Sequence, residues 1–275
     1  MIVTAKELID EASKKKIAVG AFNVGNMEML KAALEAAEEM NTPIIIQIAE
    51  SRLKHSPLEL MAPMMVEGAK NSKLPIAVQL DHGKTLETVT KALDYGFSSV
   101  MFDGSHLPIK ENVSKTNEIY EIARKYGASV EAELGVLAGN EGDGEKKLIY
   151  TRPEDAVSFS KDARFDALAI AIGNAHGNYK EAPKLQFDIL KEIHGLVDKP
   201  LVLHGGTGIS PKDFQNCISF GIRKINIATA NFDAAVRGAL SMKEKNYFSM
   251  NEAMVEEIKA NIVRHIKIFN MEALG

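Results

Sequence analysis

The sequence predicts a (β/α)₈ barrel, the TIM-barrel form of the α/β class, as a single domain over residues 1–275 with an extra C-terminal helix. Eight short runs rich in β-branched residues alternate with longer amphipathic stretches, which is the pattern of repeated strand–helix units. The runs are continuous rather than alternating, as in parallel strands covered on both faces. The length of 275 residues suits one such barrel, which typically has about 250 residues. A doubly wound open sheet is the structural alternative.

The predicted strands follow one another along the chain at 17–22, 43–49, 75–80, 99–103, 129–134, 167–172, 200–205 and 224–229. Helical patterns such as 26–40 and 110–127 lie between them, and several end at a glycine just before the next strand. The pattern of residues 251–269 predicts the extra helix, whose apolar face can pack on a partner chain or on its own barrel.

Composition points to an ordinary globular protein and narrows its partners. The apolar fraction is 45%, the charged fraction is 25% and the net charge is −4, so nucleic acid is not an expected partner. Cys217 is the single cysteine, which excludes an internal disulfide and favours the cytoplasm. The N-terminus lacks the layout of a signal peptide, and no apolar run approaches the ~18 residues of a membrane span. The expected partner is a small molecule, and an anionic one would need a local positive site.

Three histidines fall where a barrel carries its chemistry, at the carboxyl ends of strands. His82 closes the third predicted strand, His176 lies just beyond the sixth, and His204 closes the seventh; a glycine follows each of them. A single histidine at a strand end is more often a hydrogen-bonded structural residue. Three imidazoles with an open fourth position are, however, the ligand set of a catalytic zinc site. The trio therefore predicts a metal centre at the rim.

Carboxylates occupy neighbouring strand ends. Asp103 closes the fourth strand, and Glu131 and Glu133 lie at alternate positions of the fifth, on one face. Asp81 precedes His82, and it could either orient that ring or enter the site as an acid or base. Successive strand residues point in opposite directions, so Asp81 and His82 cannot both face inward without a local twist. The sequence leaves this question open.

Glycines and hydroxyls follow the last two strands, the usual phosphate position in these barrels. The segments "HGGTG" (204–208) and "NIATAN" (226–231) offer backbone N–H groups that can hold an anion. Thr207 and Thr229 could add hydroxyl donors, and Lys180 a full charge. Ordinary loop and capping chemistry is the alternative interpretation. The glycine-rich acidic stretch 138–148 is either a solvated loop or a lid that carries in a carboxylate.

Six blocks together resemble the class II, metal-dependent aldolases that act on ketose bisphosphates. They are "QLDHG", "GSHLP", "VEAELG", "DALAIAIGNAHGNYK", "LVLHGGTGIS" and "KINIAT", and the resemblance runs from "AFNVGNMEML" to the last block. Fructose- and tagatose-bisphosphate aldolases are the nearest members. The resemblance implies a lyase of carbohydrate metabolism, as in glycolysis. Such an enzyme reversibly cleaves a ketose 1,6-bisphosphate to dihydroxyacetone phosphate and an aldehyde such as glyceraldehyde 3-phosphate.

The resemblance also implies residue roles. His82, His176 and His204 would bind one Zn²⁺ per subunit, with Glu133 near an alternative metal position. Asp81 would handle the proton on the C4 hydroxyl. Glu141 would move the proton at C3, if "LAGNEGDG" aligns without a gap. Positions around the phosphate and the enediolate are Gly177, Lys180, Gly205, Gly206, Thr207, Asn226 and Thr229. Family members often bind a monovalent cation, Na⁺ or K⁺, by backbone carbonyls near Gly177 and Gly205. A homo-oligomer, dimer or tetramer, is expected.

Three departures concern the sugar rather than the reaction. Ala49 stands where fructose-type members usually carry a serine, Ala228 stands where they have Asn or Asp, and Asn140 replaces the first of two loop glutamates. A metal-dependent sugar-phosphate isomerase or epimerase, or a binding paralogue without turnover, are the alternative functions. A Schiff-base aldolase would need a lysine inside the barrel. Lys224 would start the eighth strand, at the wrong end for that role.

Overall fold

Eight parallel strands close into a barrel in the computed structural model, which describes residues 1–139, 148–179, 181, 183–242 and 246–273. The strands are β1 (Val19–Asn23), β2 (Ile44–Ala49), β3 (Ile76–Gly83), β4 (Ser99–Phe102), β5 (Ser129–Leu134), β6 (Ala167–Ile170), β7 (Leu201–Leu203) and β8 (Ile222–Ile227). Each strand pairs with its neighbours in sequence, and β1 closes the ring against β8. The predicted (β/α)₈ barrel is confirmed, and the open-sheet alternative is wrong because no barrel strand is left at an edge.

Helices follow the strands in the expected alternation. They are α1 (Ala5–Lys15), α2 (Met27–Glu39), α3 (Leu58–Asn71), α4 (Leu86–Asp94), α5 (Ile109–Lys125), α6 (Pro153–Asp162), α7 (Phe187–Leu196), α8 (Pro211–Ser219), α9 (Thr229–Ser241) and α10 (Tyr247–Phe269). Several begin at an N-cap side chain, as at Asn26, which accepts a hydrogen bond from the Met29 amide. Among the described residues, no helix is both long and apolar enough to cross a membrane.

The first and last helices finish the barrel in different ways. Helix α1 contacts β1, β3, β5 and β8, so it lies across the amino-terminal end of the barrel. Helix α10 is the predicted C-terminal helix, and it packs against α2, α8 and α9 of its own chain. Its apolar face is buried there through residues such as Ile258, Ile262 and Phe269. Of the two interpretations of residues 251–269, the structure therefore shows packing on the same barrel.

The barrel interior changes from apolar to polar along the strands. Inward residues near the amino-terminal end form a small apolar cluster with α1, to which Ala21, Ile45 and Val202 belong. The next inward residues are polar and buried, and they include Asn23, Gln47, Gln79, Asp81, Glu131, Glu133, Lys224 and Asn226. Because strand residues alternate in direction, an inward position two residues further on moves one layer towards the carboxyl rim. The fold therefore places its polar layer directly beneath the rim.

Candidate active site

The structure brings the three rim histidines together. The ring centroids of His82 lie 5.0 Å from His176 and 4.7 Å from His204. The centroids of His176 and His204 are 6.2 Å apart. One nitrogen from each ring lies within 4.8 Å of the other two. This spacing fits coordination of a single ion by residues that are far apart in the chain.

Hydrogen bonds orient two of these rings towards a common point. Glu131 Oε1 lies 2.7 Å from His204 Nε2, and Asp103 Oδ2 lies 3.1 Å from His82 Nδ1. In a neutral ring, donation of the outer N–H to an ionised carboxylate leaves the lone pair on the inner nitrogen. Those inner nitrogens, His82 Nε2 and His204 Nδ1, are 2.9 Å apart.

Two lone pairs facing each other at that distance repel, and a cation bound between them relieves the repulsion. Burial lowers the pKa of His204; the hydrogen bond to Glu131 opposes this shift, and the neighbouring His82 adds a smaller contribution in the direction of burial. Neutral imidazoles are the form that binds a metal. The donor set of three imidazoles therefore fits a divalent metal, with its ligands oriented in advance by carboxylates.

A second group of possible ligands lies on the other side of His82. Asp103 and Glu133 each present an oxygen to the His82 ring, and Glu133 Oε2 is 3.4 Å from Nδ1. All three side chains are buried. The family resemblance implies an alternative metal position near Glu133, which belongs to this group.

A β-bulge allows Asp81 and His82 to face the site together. The register of β3 against β4 shifts between Leu80 and Gly83, so β3 carries one extra residue there. His82 adopts a left-handed backbone with φ of 46°. At Gly83 a Cβ would lie 2.7 Å from the Met101 carbonyl oxygen, so only glycine fits without a shift. The local twist that the sequence left open is present, and Asp81 Oδ1 lies 4.0 Å from His82 Nε2.

Amides hold both oxygens of Asp81. Asn23 Nδ2 donates to Oδ2 at 2.9 Å, and Asn226 Nδ2 donates to Oδ1 at 3.1 Å. Gln47 Nε2 in turn donates to Asn23 Oδ1 at 2.8 Å. The carboxylate is 1% exposed. Asp81 is thus a buried carboxylate beside the histidines, and neutral side-chain amides hold both of its oxygens. This position suits a proton acceptor.

Lys224 lies inside the barrel, where the sequence analysis did not place it. Strand β8 begins two residues earlier, at Ile222, so Lys224 is an inward residue of the polar layer. Its Nζ is 2.9 Å from Glu131 Oε2 and donates to Asn226 Oδ1 at 2.6 Å. Burial alone would raise the pKa of Glu131, but Lys224 and His204 together hold it at about 2. The expectation that Lys224 starts the eighth strand is therefore wrong, and its amine is held in an ion pair with Glu131 rather than placed as a Schiff-base nucleophile.

The expected anion-binding residues line one pocket above this layer. Gly177, Gly205, Thr207 and Thr229 share its wall with Asp81, His176 and Asn226. Gly205 has φ of 62°, and a Cβ there would lie 2.0 Å from the Ala175 carbonyl oxygen. Gly206 stands apart, because its N–H donates to the Asn226 carbonyl at 3.2 Å. It supports the loop rather than facing the pocket.

Two expected site residues, Glu141 and Lys180, lie outside the described residues, as does Asn140. The stretch that leads to Glu141 is described as far as Gly139. Residues Ala138–Gly139 pair in parallel with Ala175–His176, and a Cβ at Gly139 would lie 2.0 Å from the His176 carbonyl oxygen. The beginning of the 138–148 stretch therefore lies against the histidine cluster.

Arg52 is a pocket residue that the sequence analysis missed. It follows β2 in a short 3₁₀ turn, Glu50–Arg52, and lines the same pocket beside Ala49. Its guanidinium lies over the Phe232 ring, 5.4 Å from the centroid. Within the described part of the chain it makes no ion pair. The sequence signal for this residue was a cationic side chain three residues after the end of β2, where a rim residue can reach an anion.

Comparison with known proteins gives one consistent result. The family model described as class-II fructose-bisphosphate aldolase matches residues 3–273. The chain is 40% identical to the fructose-bisphosphate aldolase of Staphylococcus aureus over 274 residues, which is 95% of this chain and 96% of that protein. It is also 40% identical to that of Geobacillus stearothermophilus over 279 residues, covering 98% and 96% of the two chains. Among solved structures, the YdjI aldolase of Escherichia coli K12 has a TM-score of 0.89 at 33% identity, covering 98% of this chain and 97% of that one.

Proposed function

The chain belongs to the class-II fructose-bisphosphate aldolase family and is an aldolase, and from this premise we propose that it is a zinc-dependent enzyme that reversibly cleaves a ketose 1,6-bisphosphate. The products would be dihydroxyacetone phosphate and an aldehyde such as glyceraldehyde 3-phosphate. The observation that carries the proposal is the cluster of His82, His176 and His204 with Asp81 beside it. The relatives are named aldolases, which favours cleavage over the isomerase and binding-paralogue alternatives.

His82, His176 and His204 are proposed to hold one Zn²⁺ per subunit. Three nitrogen donors with a remaining open position suit zinc better than the oxygen-preferring cations. When bound, the metal supplies Lewis acidity to the C2 carbonyl and C3 hydroxyl, a contribution of several kcal/mol to the transition state. Glu133 is proposed as part of an alternative metal position on the far side of His82.

Asp81 is proposed to act as the base of the cleavage direction. It takes the proton from the C4 hydroxyl as the C3–C4 bond breaks, so that C4 becomes an aldehyde and the bonding electrons stay on the ketone half. Asn226 donates hydrogen bonds to the enediolate oxygens. Glu141 is proposed to protonate C3 and complete dihydroxyacetone phosphate. The pairing of Gly139 with His176 supports this, since it brings the beginning of that stretch to the site.

The phosphate of the ketone half is proposed to sit on the loops after β6, β7 and β8. Gly177, Gly205, Thr207 and Thr229 line that wall of the pocket, with Lys180 as the added charge and Gly206 bracing the loop. Backbone N–H groups at these loops and at the start of α9 hold an anion without a full positive charge. A monovalent cation, Na⁺ or K⁺, is proposed at the backbone carbonyls near Gly177 and Gly205.

Arg52 is proposed to bind a phosphate of the substrate together with the glycine and threonine wall. It follows β2, but its guanidinium lies over Phe232 of α9, the helix that begins at Thr229, so it extends that wall. A guanidinium adds a full charge and further donors to a site otherwise built of backbone N–H and hydroxyl groups. Ala49 offers no hydroxyl beside it, and the guanidinium supplies the missing donors.

We place the enzyme in the cytoplasm as a homo-oligomer that acts on a phosphorylated sugar, with neither nucleic acid nor membrane as a partner. The direct test is release of dihydroxyacetone phosphate, measured with a coupled dehydrogenase across fructose and tagatose 1,6-bisphosphates and their 1-phosphates. Triose release from at least one bisphosphate, faster than from its 1-phosphate, is the expected result. Bisphosphate interconversion without triose, or binding without either reaction, would overturn the proposal.

A further inference from the structure

Lys224 is a charged side chain in a place where packing alone would favour an apolar one. It is 0% exposed and lies between the apolar lower layer of the barrel and the site. Moving an ammonium from water into a protein interior is costly, and a buried pair often gains nothing over a well-packed apolar substitute. The residue nevertheless makes two short polar contacts. One is to Glu131, which binds His204, and the other is to Asn226, which binds Asp81. Those two contacts indicate what the charge is used for.

The first contact leads to the histidine cluster. Glu131 Oε2 is held by Lys224 Nζ at 2.9 Å and by Gln79 Nε2 at 3.2 Å. With that oxygen fixed, Oε1 faces His204 Nε2 at 2.7 Å. The bond fixes the His204 ring so that Nδ1 points at His82 Nε2. An outer carboxylate of this kind sets both the tautomer and the direction of a metal-binding imidazole.

The second contact leads to Asp81. An asparagine amide can present either its oxygen or its nitrogen in a given direction. Lys224 Nζ occupies Asn226 Oδ1 at 2.6 Å, so the amide nitrogen must face Asp81 Oδ1, at 3.1 Å. Turned the other way, the amide oxygen would meet the carboxylate and repel it. Lys224 thus decides which end of Asn226 is offered to the base and to the substrate.

We propose that Lys224 is a positioning residue that aligns the two halves of the site, His204 through Glu131 and the Asp81 base through Asn226. Its recorded polar contacts are to Glu131 and Asn226, so in this proposal it acts through those two side chains. The inference rests on the proposed metal site, but its tests include metal binding without turnover. Loss of the lysine should therefore produce two separable defects. One is weaker metal binding, which depends on Glu131, and the other is slower turnover at saturating metal, which depends on Asn226.

The experiment uses the full chain with Lys224→Met, Glu131→Gln and the double variant, and Arg223→Met as the control. Arg223 is next on the same strand, and its guanidinium donates outside the site, to the Ile218 and Ile222 carbonyls. Zinc affinity is measured by competition with a chromophoric chelator, and kcat at saturating zinc. We expect Lys224→Met to weaken zinc binding by about 10- to 100-fold. In the Glu131→Gln background the same change should leave zinc affinity within about 2-fold yet still lower kcat by at least about 10-fold. This is less than the roughly 10²-fold or more for outright loss of a preorganised donor, because Asn226 itself remains. The control should change neither quantity.

Each outcome separates the inference from the function on which it rests. A wild-type chain that binds no zinc removes the proposed function. Wild-type zinc binding with Lys224→Met equal to wild type in affinity and kcat overturns the inference alone. If Lys224→Met weakens zinc binding equally in the wild-type and Glu131→Gln backgrounds, the lysine does not act on the metal site through Glu131, and that part of the inference is overturned. If Lys224→Met does not fold because the Glu131 carboxylate is left unpaired, the double variant is used instead, since it lacks that buried charge. An unchanged kcat of the double variant relative to Glu131→Gln overturns the part of the inference that runs through Asn226.

Discussion

His82 Nε2 and His204 Nδ1 face each other across 2.9 Å, and the outer nitrogen of each ring is held by a buried carboxylate. The two residues are 122 positions apart in the chain, on β3 and at the end of β7, which is half-way round the barrel. Two neutral imidazoles arranged in this way direct their lone pairs at one point, and this arrangement supports the proposed metal site. The proposed chemistry follows from this pair together with His176 and Asp81.

Replacing Asp81 by alanine should remove the base without removing the metal. Asp81 Oδ1 is 4.0 Å from His82 Nε2 and accepts from two amides, so it is placed as a proton acceptor beside the histidines. We expect turnover to fall by at least about 10²-fold, the scale of lost acid–base catalysis. Metal content by elemental analysis should stay equal to wild type. Undiminished kcat would remove Asp81 from the chemistry.

Replacing Arg52 by methionine should weaken binding of the phosphate on the glycine and threonine wall. A charge-assisted contact is worth about 1.5–3 kcal/mol, so KM for the bisphosphate should rise by about 10- to 100-fold. The KM for the corresponding ketose 1-phosphate should rise by a similar factor, because it carries the same phosphate. Arg124→Met is the matched control, because that guanidinium also lies over an aromatic ring, 6.0 Å from the centroid of Tyr120, away from the pocket. An unchanged KM for both substrates would contradict the assignment.

Gly205 and Gly127 offer a matched test of the anion loop. Both have a left-handed backbone, with φ of 62° and 69°. An added Cβ would lie 2.0 Å from the Ala175 carbonyl oxygen at Gly205 but meet nothing within 4 Å at Gly127. Gly127→Ala should therefore cost only the backbone strain of about 1–2 kcal/mol. Gly205→Ala should lower kcat/KM by about 10²-fold as well, because it displaces the residue before His176.

Steady-state kinetics and a thermal melt of the two glycine variants check this. Equal activities of Gly205→Ala and Gly127→Ala would show that the close approach to Ala175 is not needed for function.

Much of this site could be predicted from the sequence, because in a parallel barrel the carboxyl ends of all strands lie at the same rim. Once eight strands are predicted, residues as distant as His82 and His204 must share one rim. The bulge at His82 did not follow, because it depends on the register between β3 and β4, a pairing that no local pattern encodes. The stacking of Arg52 on Phe232 is likewise a tertiary contact between distant segments.

Lys224 illustrates the limit most clearly. Its local sequence placed it at the start of a strand, where a lysine normally reaches solvent. The strand instead begins at Ile222, so Lys224 is its third residue and points into the barrel, as Asn226 does two residues further on. An error of two residues in the start of one strand was enough to hide a buried charge at the centre of the site. Depth in a barrel is thus less predictable than the order of its elements.

His265 should make the stability of the protein depend on pH. Burial, with a smaller contribution from Arg264, lowers its pKa to about 4, although its hydrogen bond to the Asn261 carbonyl opposes the shift. The unfolded chain, with a histidine pKa near 6.5, binds the proton more readily, so stability falls as pH drops from about 6.5 to about 4. At pH 5 the loss from this one group is about 2 kcal/mol relative to pH 7.

Urea unfolding of metal-free wild type and His265→Gln at pH 7 and pH 5 isolates this effect, since the two proteins differ only at residue 265. The variant should lose less stability over that interval, by about 2 kcal/mol. An equal loss in both proteins would show that His265 is not the responsible group.

Zinc titration of the metal-free enzyme tests the central claim most directly. Dihydroxyacetone phosphate release from a ketose bisphosphate is measured after chelation and after each addition of zinc. We predict no cleavage without metal, activity that rises linearly to one zinc per chain and then stays constant, and neither binding nor activity in His204→Ala. Undiminished cleavage by the metal-free protein would contradict the account.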